Sequence, residues 1–292
     1  MITPKSIPTL EEFLAAPDAQ VAAVAPETLI FAVGGTRRAA ALAGISPQSD
    51  DYARWSRTQM MTCIATFFRL GVRHLFTTAI RPGQLAETGR YRERLLHWVD
   101  WGLAGSEALA EYARHKWRVH LLGTESLPEL QSAAERVQVM TQDYHEHTLW
   151  WYVVPDREAP WQSLLTAVQC MQSPTRADLI RAMYGEDVPL ATMYVGFGKP
   201  MVAPDILPPI LAGEIQCYWP QRPGYTLDEA LIRRIFYDYA YLRPTWRADR
   251  AGRYDDLDAQ RAAWETQAIL GVGQKLGDFW YPGAFPAIST QD

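Results

Sequence analysis

Short runs of apolar residues alternate along this chain with longer segments in which apolar positions recur every three or four residues. The short runs predict six strands, at residues 28–33, 73–80, 118–122, 149–154, 193–197 and 214–218. The longer segments predict amphipathic helices between the strands, with 51–71 as the clearest case. Such alternation is typical of parallel strands joined by helical crossovers. We therefore predict an α/β fold with a central, mainly parallel six-stranded sheet and helices on both faces.

Local signals add detail to this pattern. Thr9 and Glu12 form a capping box that predicts a short first helix, which Pro17 ends. Trp150 and Trp151 are adjacent on a predicted strand, so one should face each side of the sheet. Residues 1–292 are predicted to form one domain, and its polar segment from about residue 244 is expected to cover the surface or a partner subunit.

Composition and charge exclude several classes of protein. The 292 residues carry 28 Lys and Arg against 33 Asp and Glu, a net charge of −5 without the clustered basic excess that binds nucleic acid. No run reaches the ~18 apolar residues of a membrane span. The three cysteines are far apart and form no C-x-x-C pair, which excludes a disulfide scaffold and a cysteine-based zinc site. We expect a cytoplasmic protein.

The polar residues that most suggest a binding site follow the first predicted strand, in the sequence Gly34-Gly35-Thr36-Arg37-Arg38. Ligands of open α/β sheets bind at the carboxyl ends of strands. Glycines let backbone amides approach an anion, and guanidinium groups bind phosphate through paired hydrogen bonds. From residue type alone, the two arginines are as readily explained as a solvated pair of surface charges as by a phosphate site. The position at a glycine-rich strand end favours a phosphate site.

Other strand ends carry weaker signals. Residues 196–199, with the sequence G-F-G-K, follow the fifth strand, but Pro200 comes next and no helix begins there. This segment is therefore either a turn that presents amides to a ligand or a plain turn. Tyr52 lies in the first turn of the long predicted helix after the Arg pair, and Tyr91 follows the loop after the second strand. Either could hold a water molecule, although a single tyrosine is more often a packing residue.

Motifs for metal binding and hydrolysis are missing or misplaced. His145 and His147 alternate and lack the spacing and third ligand of a zinc site. The acidic run at 255–258 lies in the polar tail, where a solvated surface is the simpler interpretation. No serine lies in a G-x-S-x-G elbow, which disfavours hydrolase chemistry.

Taken in order, the strand ends resemble the cis-prenyltransferase (undecaprenyl diphosphate synthase) family over about residues 28–243. Residues 31–38 occupy the place of that family's first-strand D-G-N-x-R phosphate motif. Residues 71–76 resemble its second strand, and 118–123 resemble its third. The resemblance implies that this chain adopts the cis-prenyltransferase fold.

The motifs are closest to a diterpene synthase branch of this fold, which contains tuberculosinol (tuberculosinyl-adenosine) synthase and kolavelool synthase. That branch carries G-T-R-R, matched at 35–38, and P-Q-x-D-D-Y, matched at 47–52. Its I-G-F-G is matched by V-G-F-G at 195–198, and its G-x-R-Y only loosely by 89–91. Its L-R-R-I-x-Y-D-x-x-Y-L-R is nearly matched at 232–243. Several spaced motifs in one order are more specific than any one alone.

This resemblance implies a diterpene synthase. Such an enzyme ionises a bicyclic diterpenyl diphosphate of the kolavenyl or tuberculosinyl type and captures the allylic cation with water, releasing a kolavelool-like alcohol and diphosphate. Two alternatives stay open: a transferase that passes the diterpenyl group to a nucleoside or other acceptor, and a non-catalytic subunit that binds prenyl diphosphate. The fold family also implies a homodimer.

The resemblance assigns roles to residues as well. Those implied for diphosphate binding are Gly35, Thr36, Arg37, Arg38, Gly198 and Arg243. Those implied for catalysis, beside the cation or the attacking water, are Tyr52, Tyr91 and Asp51. Electrostatic stabilisation of the departing diphosphate is the largest contribution that such a site can make.

Magnesium is the cofactor that the resemblance implies, and two positions depart from it. The family's first-strand motif begins with an Asp that is expected to bind the metal, where this chain has Gly34. The Asp of the fifth-strand motif is Thr192 here. Mg²⁺ prefers carboxylate and phosphate oxygens, so its use stays open and no ligand is assigned. Asp50 and Asp51 are the nearest carboxylates that could substitute.

The chain is rich in aromatic residues, with 11 Trp. Aromatic faces stabilise a cation in an apolar pocket. We therefore predict a terpenoid pocket lined by some of Trp55, Trp98, Trp101, Trp151 and Phe197. Ordinary core packing accounts for most of the others.

Overall fold

A six-stranded sheet forms the centre of the computed structural model, which describes residues 7–49, 51–86, 90–242, 261, 265, 270–277 and 279–282. The strands are β1 (Thr28–Phe31), β2 (His74–Ile80), β3 (Trp117–Leu122), β4 (His147–Val153), β5 (Ala191–Val195) and β6 (Ala212–Tyr218). Their order is β3-β4-β2-β1-β5-β6, and all neighbours are parallel. The predicted fold class is confirmed.

Helices precede, connect and follow these strands. They are α1 (Leu10–Leu14), α2 (Asp18–Ala22), α3 (Thr36–Leu42), α4 (Asp51–Arg69), α5 (Pro82–Leu85), α6 (Arg90–Ala104), α7 (Ser106–His115), α8 (Pro128–Thr141), α9 (Ala159–Gln169), α10 (Arg176–Tyr184) and α11 (Glu229–Tyr237). A 3₁₀ helix at Pro209–Leu211 precedes β6, and a π-helix at Asp238–Leu242 continues α11. An antiparallel hairpin, β7 (Gly273–Leu276) and β8 (Phe279–Pro282), follows near the end of the chain.

The sheet separates two hydrophobic cores. The larger core includes residues of α4, α6, α7, α8 and α11, and the smaller one lies on the other face with α10. Trp151 belongs to the larger core and Trp150 to the smaller one, where it stacks on Phe76 with ring centroids 5.2 Å apart. The prediction that the two tryptophans face opposite sides of the sheet is therefore confirmed.

Most predicted elements are present, with shifted ends. Thr9 caps α1, because its hydroxyl accepts from the amide of Glu12 at 3.2 Å while its own amide donates to the Glu12 carboxylate at 2.7 Å. The helical segment predicted over 91–113 with a loop at 102–106 is confirmed as two helices, α6 and α7, which break at Gly105. A Cβ at Gly105 would lie 2.4 Å from the Trp101 carbonyl oxygen, so this close turn requires glycine.

Two elements were not predicted from the sequence. The segment after Gly35 forms α3, whose Ala39 and Ala40 are buried. The described part of the polar tail contains the hairpin of β7 and β8. Most of the tail, including its acidic run at 255–258, lies outside the described residues.

Candidate active site

A cavity of about 720 Å³ lies at the carboxyl ends of β1 and β2, beside α4 and α6. Its walls come from residues 33–38 after β1, from 52, 53, 56, 57 and 60 in α4, and from 78, 79, 81 and 84 at and after the end of β2. Residues 91, 95, 98, 99 and 101–103 of α6, Trp151 of β4 and Tyr225 complete them. The volume is within the range of about 300–1,000 Å³ that is usual for small-molecule sites. Strand ends of an open α/β sheet are also the usual place for such a site.

The turn between β1 and α3 forms the polar end of the cavity. Gly35 has φ of +72°, and a Cβ there would lie 2.8 Å from a terminal nitrogen of Arg38 and 2.9 Å from the Cβ of Pro223. This turn therefore requires glycine on both conformational and steric grounds. The next residue, Thr36, begins α3, and its hydroxyl is 2.8 Å from the hydroxyl of Tyr52 in α4.

Arginine side chains surround this polar end. Arg37 is exposed, donates to the hydroxyl of Tyr91 at 3.0 Å, and has its guanidinium carbon 5.5 Å from the centre of that ring. Arg38 lines the same cavity from the next position of α3. Arg81, at the end of β2, donates from Nε to Oδ2 of Asp205 at 3.0 Å. The cavity therefore has a cationic end, although the whole chain has a net charge of −5.

A fourth arginine in the cavity wall, Arg57, is tied into the fold. Its Nε donates to the Gly102 carbonyl oxygen near the end of α6 at 3.1 Å, and its Nη2 donates to Glu111 of α7 at 3.0 Å. Its side chain is only 11% exposed. Because these bonds occupy its guanidinium, Arg57 joins α4 to α6 and α7.

Aromatic and aliphatic side chains line the rest of the cavity. Trp98 and Trp101 enter from α6 and Trp151 from β4. The ring of Tyr52 meets that of Trp98 edge to face with centroids 6.0 Å apart, and Arg94 lies over the Trp98 ring at 5.1 Å. The aliphatic members Met60, Leu95, Val99 and Leu103 are all buried. The cavity thus joins a cationic end to an apolar, aromatic interior.

Tyr225 enters the cavity from an irregular segment that packs on the turn after β1. A Cβ at Gly224 would lie 3.2 Å from the Gly34 carbonyl oxygen and 3.4 Å from the Thr36 Cα, so the two segments are in close contact. Burial raises the pKa of the Tyr225 phenol, and the nearby Tyr52 raises it further, whereas a hydrogen bond with Ser56 lowers it. The phenol therefore stays protonated and able to donate a hydrogen bond.

The structure brings most of the predicted site residues together. Those that line the cavity are Gly35, Thr36, Arg37, Arg38, Tyr52, Tyr91, Trp98, Trp101 and Trp151. Their roles toward a substrate stay predictions. Arg243 and Asp50 lie outside the described residues.

Four predicted residues are not among those that line this cavity, and their roles stay predictions. Successive residues of a helix are rotated by about 100°, so residues 52, 53, 56, 57 and 60 share the face of α4 that borders the cavity. Trp55 lies outside that face. Asp51 is exposed in the first turn of α4, where the helix dipole stabilises a carboxylate. Phe197 packs on Phe31 with centroids 5.9 Å apart, and Gly198 forms a turn at φ of +75°.

Sequence reasoning missed several polar members of the cavity, among them Arg57, Arg81 and Tyr225. Arg57 could have been found, because it lies on the face of the predicted helix that also carries Tyr52 and Ser56. Arg81 could also have been found, since it directly follows the strand that neighbours β1. Tyr225 gave no usable signal, because it belongs to no helix or strand and is remote in sequence from every other cavity residue.

The residues present do not fit a magnesium ion. Among the described residues of the cavity wall there is no Asp, Glu, His or Cys, and Mg²⁺ in proteins is bound through carboxylates together with phosphate oxygens. No group of three or more such side chains within the described ranges could hold a metal. Thr192, at the other position where the family has Asp, shares a hydrogen bond of 2.7 Å with the Tyr239 hydroxyl.

Two curated relatives resemble the chain over nearly its whole length. The (+)-kolavelool synthase of Herpetosiphon aurantiacus is 49% identical over 276 residues, which cover 94% of this chain and 96% of that enzyme. The chain belongs to the family of (+)-kolavelool synthase. The tuberculosinyl adenosine transferase of Mycobacterium tuberculosis is more distant, with 27% identity over 293 residues that cover 93% of this chain and 97% of that enzyme. The family member described here is therefore an enzyme of the terpene or prenyl diphosphate type.

Solved structures identify the fold. Lavandulyl diphosphate synthase from Lavandula x intermedia, solved with dimethylallyl diphosphate, superposes with a TM-score of 0.61 at 12% identity, covering 75% of this chain and 97% of that one. A probable undecaprenyl diphosphate synthase from Campylobacter jejuni gives 0.56 at 11% identity, covering 74% and 95%. The cis-prenyltransferase fold implied by the sequence is thus confirmed. No protein-family model matches the chain, and no helix in the described ranges is long and apolar enough to cross a membrane.

Proposed function

We propose that this chain is a diterpene synthase that ionises a bicyclic diterpenyl diphosphate of the kolavenyl or tuberculosinyl type. Water then captures the allylic cation, giving a kolavelool-like alcohol and diphosphate. The observation that carries this proposal is the single cavity that joins a cationic end to an aromatic interior. The 49% identity to (+)-kolavelool synthase supports the same class of substrate and product.

The cationic end suits the diphosphate group. Arg37 and Arg38 are in the first turn of α3, and Arg81, between β2 and α5, lines the same cavity. Guanidinium groups match phosphate oxygens in shape and charge, and they bind them through paired hydrogen bonds. When the carbon–oxygen bond breaks, its electron pair leaves with the diphosphate, whose added charge these groups stabilise.

The interior suits the hydrocarbon and the cation that remains on it. Buried aliphatic side chains exclude water from most of the wall, which favours an apolar skeleton. The rings of Trp98, Trp101 and Trp151 face the same space. An aromatic face attracts a desolvated cation by about 2 kcal/mol or more, so these rings lower the energy of the allylic cation.

The paired hydroxyls of Tyr52 and Thr36 provide a route for the proton that capture by water releases. They are 2.8 Å apart and lie where the cationic end meets the aromatic interior. The oxygen of water bonds to the cation, and its proton passes through this pair to the departed diphosphate. The products are then one alcohol and one protonated diphosphate, so atoms and charge balance.

A second candidate function is transfer of the diterpenyl group to a nucleoside, as the name of the tuberculosinyl adenosine transferase suggests. The cation would be the same, and only the nucleophile would differ. Addition of adenosine to the reaction separates the two functions. A synthase keeps producing the alcohol, whereas a transferase diverts the product to a conjugate.

The test is incubation of the full chain with kolavenyl, tuberculosinyl and geranylgeranyl diphosphates, followed by gas chromatography with mass spectrometry and a diphosphate-release assay. We expect an alcohol from one of the bicyclic diphosphates. Arg37→Gln should lower kcat/KM by about 10- to 100-fold, since a charge-assisted hydrogen bond contributes about 1.5–3 kcal/mol. The matched control is Arg73→Gln, at an exposed arginine that pairs with Glu27 at 3.0 Å outside the cavity wall. The absence of product and diphosphate release with every substrate would refute the proposal.

A further inference from the structure

Gly34 lies in the turn after β1 at the position where the family has an aspartate, and Arg37, Arg38 and Arg81 line the cavity around that turn. From this we infer that the leaving diphosphate is neutralised by guanidinium groups, with no divalent cation held by the protein. The inference rests on the proposed function, because it concerns the same cavity. It specifies how that site handles the charge of its leaving group.

The first argument is the donor set of the cavity wall. Its described members include Arg37, Arg38, Arg57 and Arg81 and no carboxylate, imidazole or thiol. A divalent cation would need oxygen ligands with negative charge. Here it would instead meet like charges, which raise its energy in a partly desolvated cavity. The same like charges favour an anion.

The second argument is that the surrounding atoms do not require glycine at position 34. A Cβ built on Gly34 would have the Phe197 Cβ, at 3.7 Å, as its nearest atom outside the neighbouring residues, which is an ordinary contact. The φ of Gly34 is not positive either. An aspartate therefore fits the backbone at this position, in contrast to Gly35, whose Cβ would collide with its surroundings.

The third argument is that the carboxylate beside Arg81 is already committed. Asp205 receives the Nε of Arg81 at 3.0 Å and its Nη2 at 2.9 Å, and the side chain of Asp205 is 13% exposed. The backbone carbonyl of Asp205 also accepts from the Thr78 hydroxyl at 3.2 Å. These bonds hold Arg81 at the end of β2 and leave Asp205 outside the cavity wall.

The chemical step is balanced without a metal. The carbon–oxygen bond of the allylic diphosphate breaks heterolytically, and its electron pair stays on the leaving oxygen. The guanidinium groups of Arg37 and Arg38 match the negative charge of that oxygen by hydrogen bonding and charge. The allylic cation remains in the aromatic interior until a nucleophile captures it.

The experiment measures binding of inorganic diphosphate to the full chain by isothermal titration calorimetry, once in EDTA and once in excess magnesium chloride. We expect the affinity in EDTA to equal or exceed that in magnesium. Arg38→Gln should weaken binding in EDTA by about tenfold or more, which is the loss of one charge-assisted hydrogen bond. Arg73→Gln, outside the cavity wall, should leave it unchanged.

Gly34→Asp provides the opposite test. The added carboxylate should weaken diphosphate binding in EDTA by about tenfold, and magnesium should restore it. An affinity of the unaltered chain that is at least about tenfold higher in magnesium than in EDTA would overturn the inference and leave the proposed function intact. Binding in neither buffer would overturn both, and the turnover assay would then show no diphosphate release.

Discussion

Substitution of Arg57 by methionine separates anchoring arginines from those that face the substrate. Arg57 lines the cavity, yet its side chain is 11% exposed and its bonds run to the Gly102 carbonyl and to Glu111. Arg37 is exposed, and its hydrogen bond goes to Tyr91. We therefore expect Arg57→Met to lower stability strongly and Arg37→Gln to lower activity while leaving stability nearly unchanged.

The size of the stability loss follows from the bonds that are removed. A hydrogen bond that involves a charged group contributes about 1.5–3 kcal/mol, and Arg57 loses two of these. The contact with Glu107 spans 3.8 Å to a carboxylate that is 65% exposed, so it adds less than about 0.5 kcal/mol. Arg114 still reaches the other Glu111 oxygen at 3.1 Å, which limits the cost. The expected loss is about 3 kcal/mol.

The assay is thermal and urea unfolding of the three proteins, followed by circular dichroism. For a chain of this size, a loss of about 3 kcal/mol lowers Tm by about 6–12 °C, whereas Arg37→Gln should shift Tm by less than about 2 °C. Diphosphate binding by folded Arg57→Met at low temperature should be within about threefold of the unaltered chain. The reasoning is refuted if Arg57→Met keeps its stability but loses diphosphate binding.

Three further predictions concern the turn, the buried histidines and the assembly. Gly35→Ala should lower kcat/KM by at least about tenfold in the turnover assay, because φ of +72° and contacts under 3 Å displace the turn. Burial lowers the pKa of His74 and of His120 to about 4, so stability should fall as pH drops from about 6.5 to 4, by up to about 1.4 kcal/mol per unit for each histidine. His120→Gln should flatten this dependence in urea titrations. The homodimer implied by the family should appear in light scattering. Leu165→Glu, on the exposed apolar face of α9, should convert it to a monomer. A dimer that survives this change would place the interface elsewhere.

The sheet could be predicted from sequence because its strands are buried on both sides. Short continuous apolar runs such as 149–154 are the length of buried strands and too short for most helices. Segments with a regular helical period separate these runs along the chain. Parallel strands bring their carboxyl ends to one edge, so the glycine-rich turn and Tyr52 could be placed together before any coordinates. The observed bond of 2.8 Å between Thr36 and Tyr52 lies at that edge.

The errors have equally physical causes. α3 was missed because its seven residues contain three alanines and only one large apolar residue, a pattern with no strong apolar period. Trp55 was a candidate for the pocket because it lies about one turn beyond Tyr52. Three residues turn a helix by about 300°, however, so Trp55 lies at the border of the face that Tyr52 presents to the cavity. Tyr225 could not be found, since only tertiary packing of an irregular segment brings it to the cavity.

The central claim is heterolytic loss of diphosphate followed by capture of the cation with water. Turnover of kolavenyl diphosphate in ¹⁸O-labelled water, with mass spectrometry of both products, tests it most directly. The account predicts an alcohol that carries the ¹⁸O label and a diphosphate that carries none. An alcohol without label, together with labelled phosphate or diphosphate, would show cleavage of the phosphorus–oxygen bond and would contradict the account.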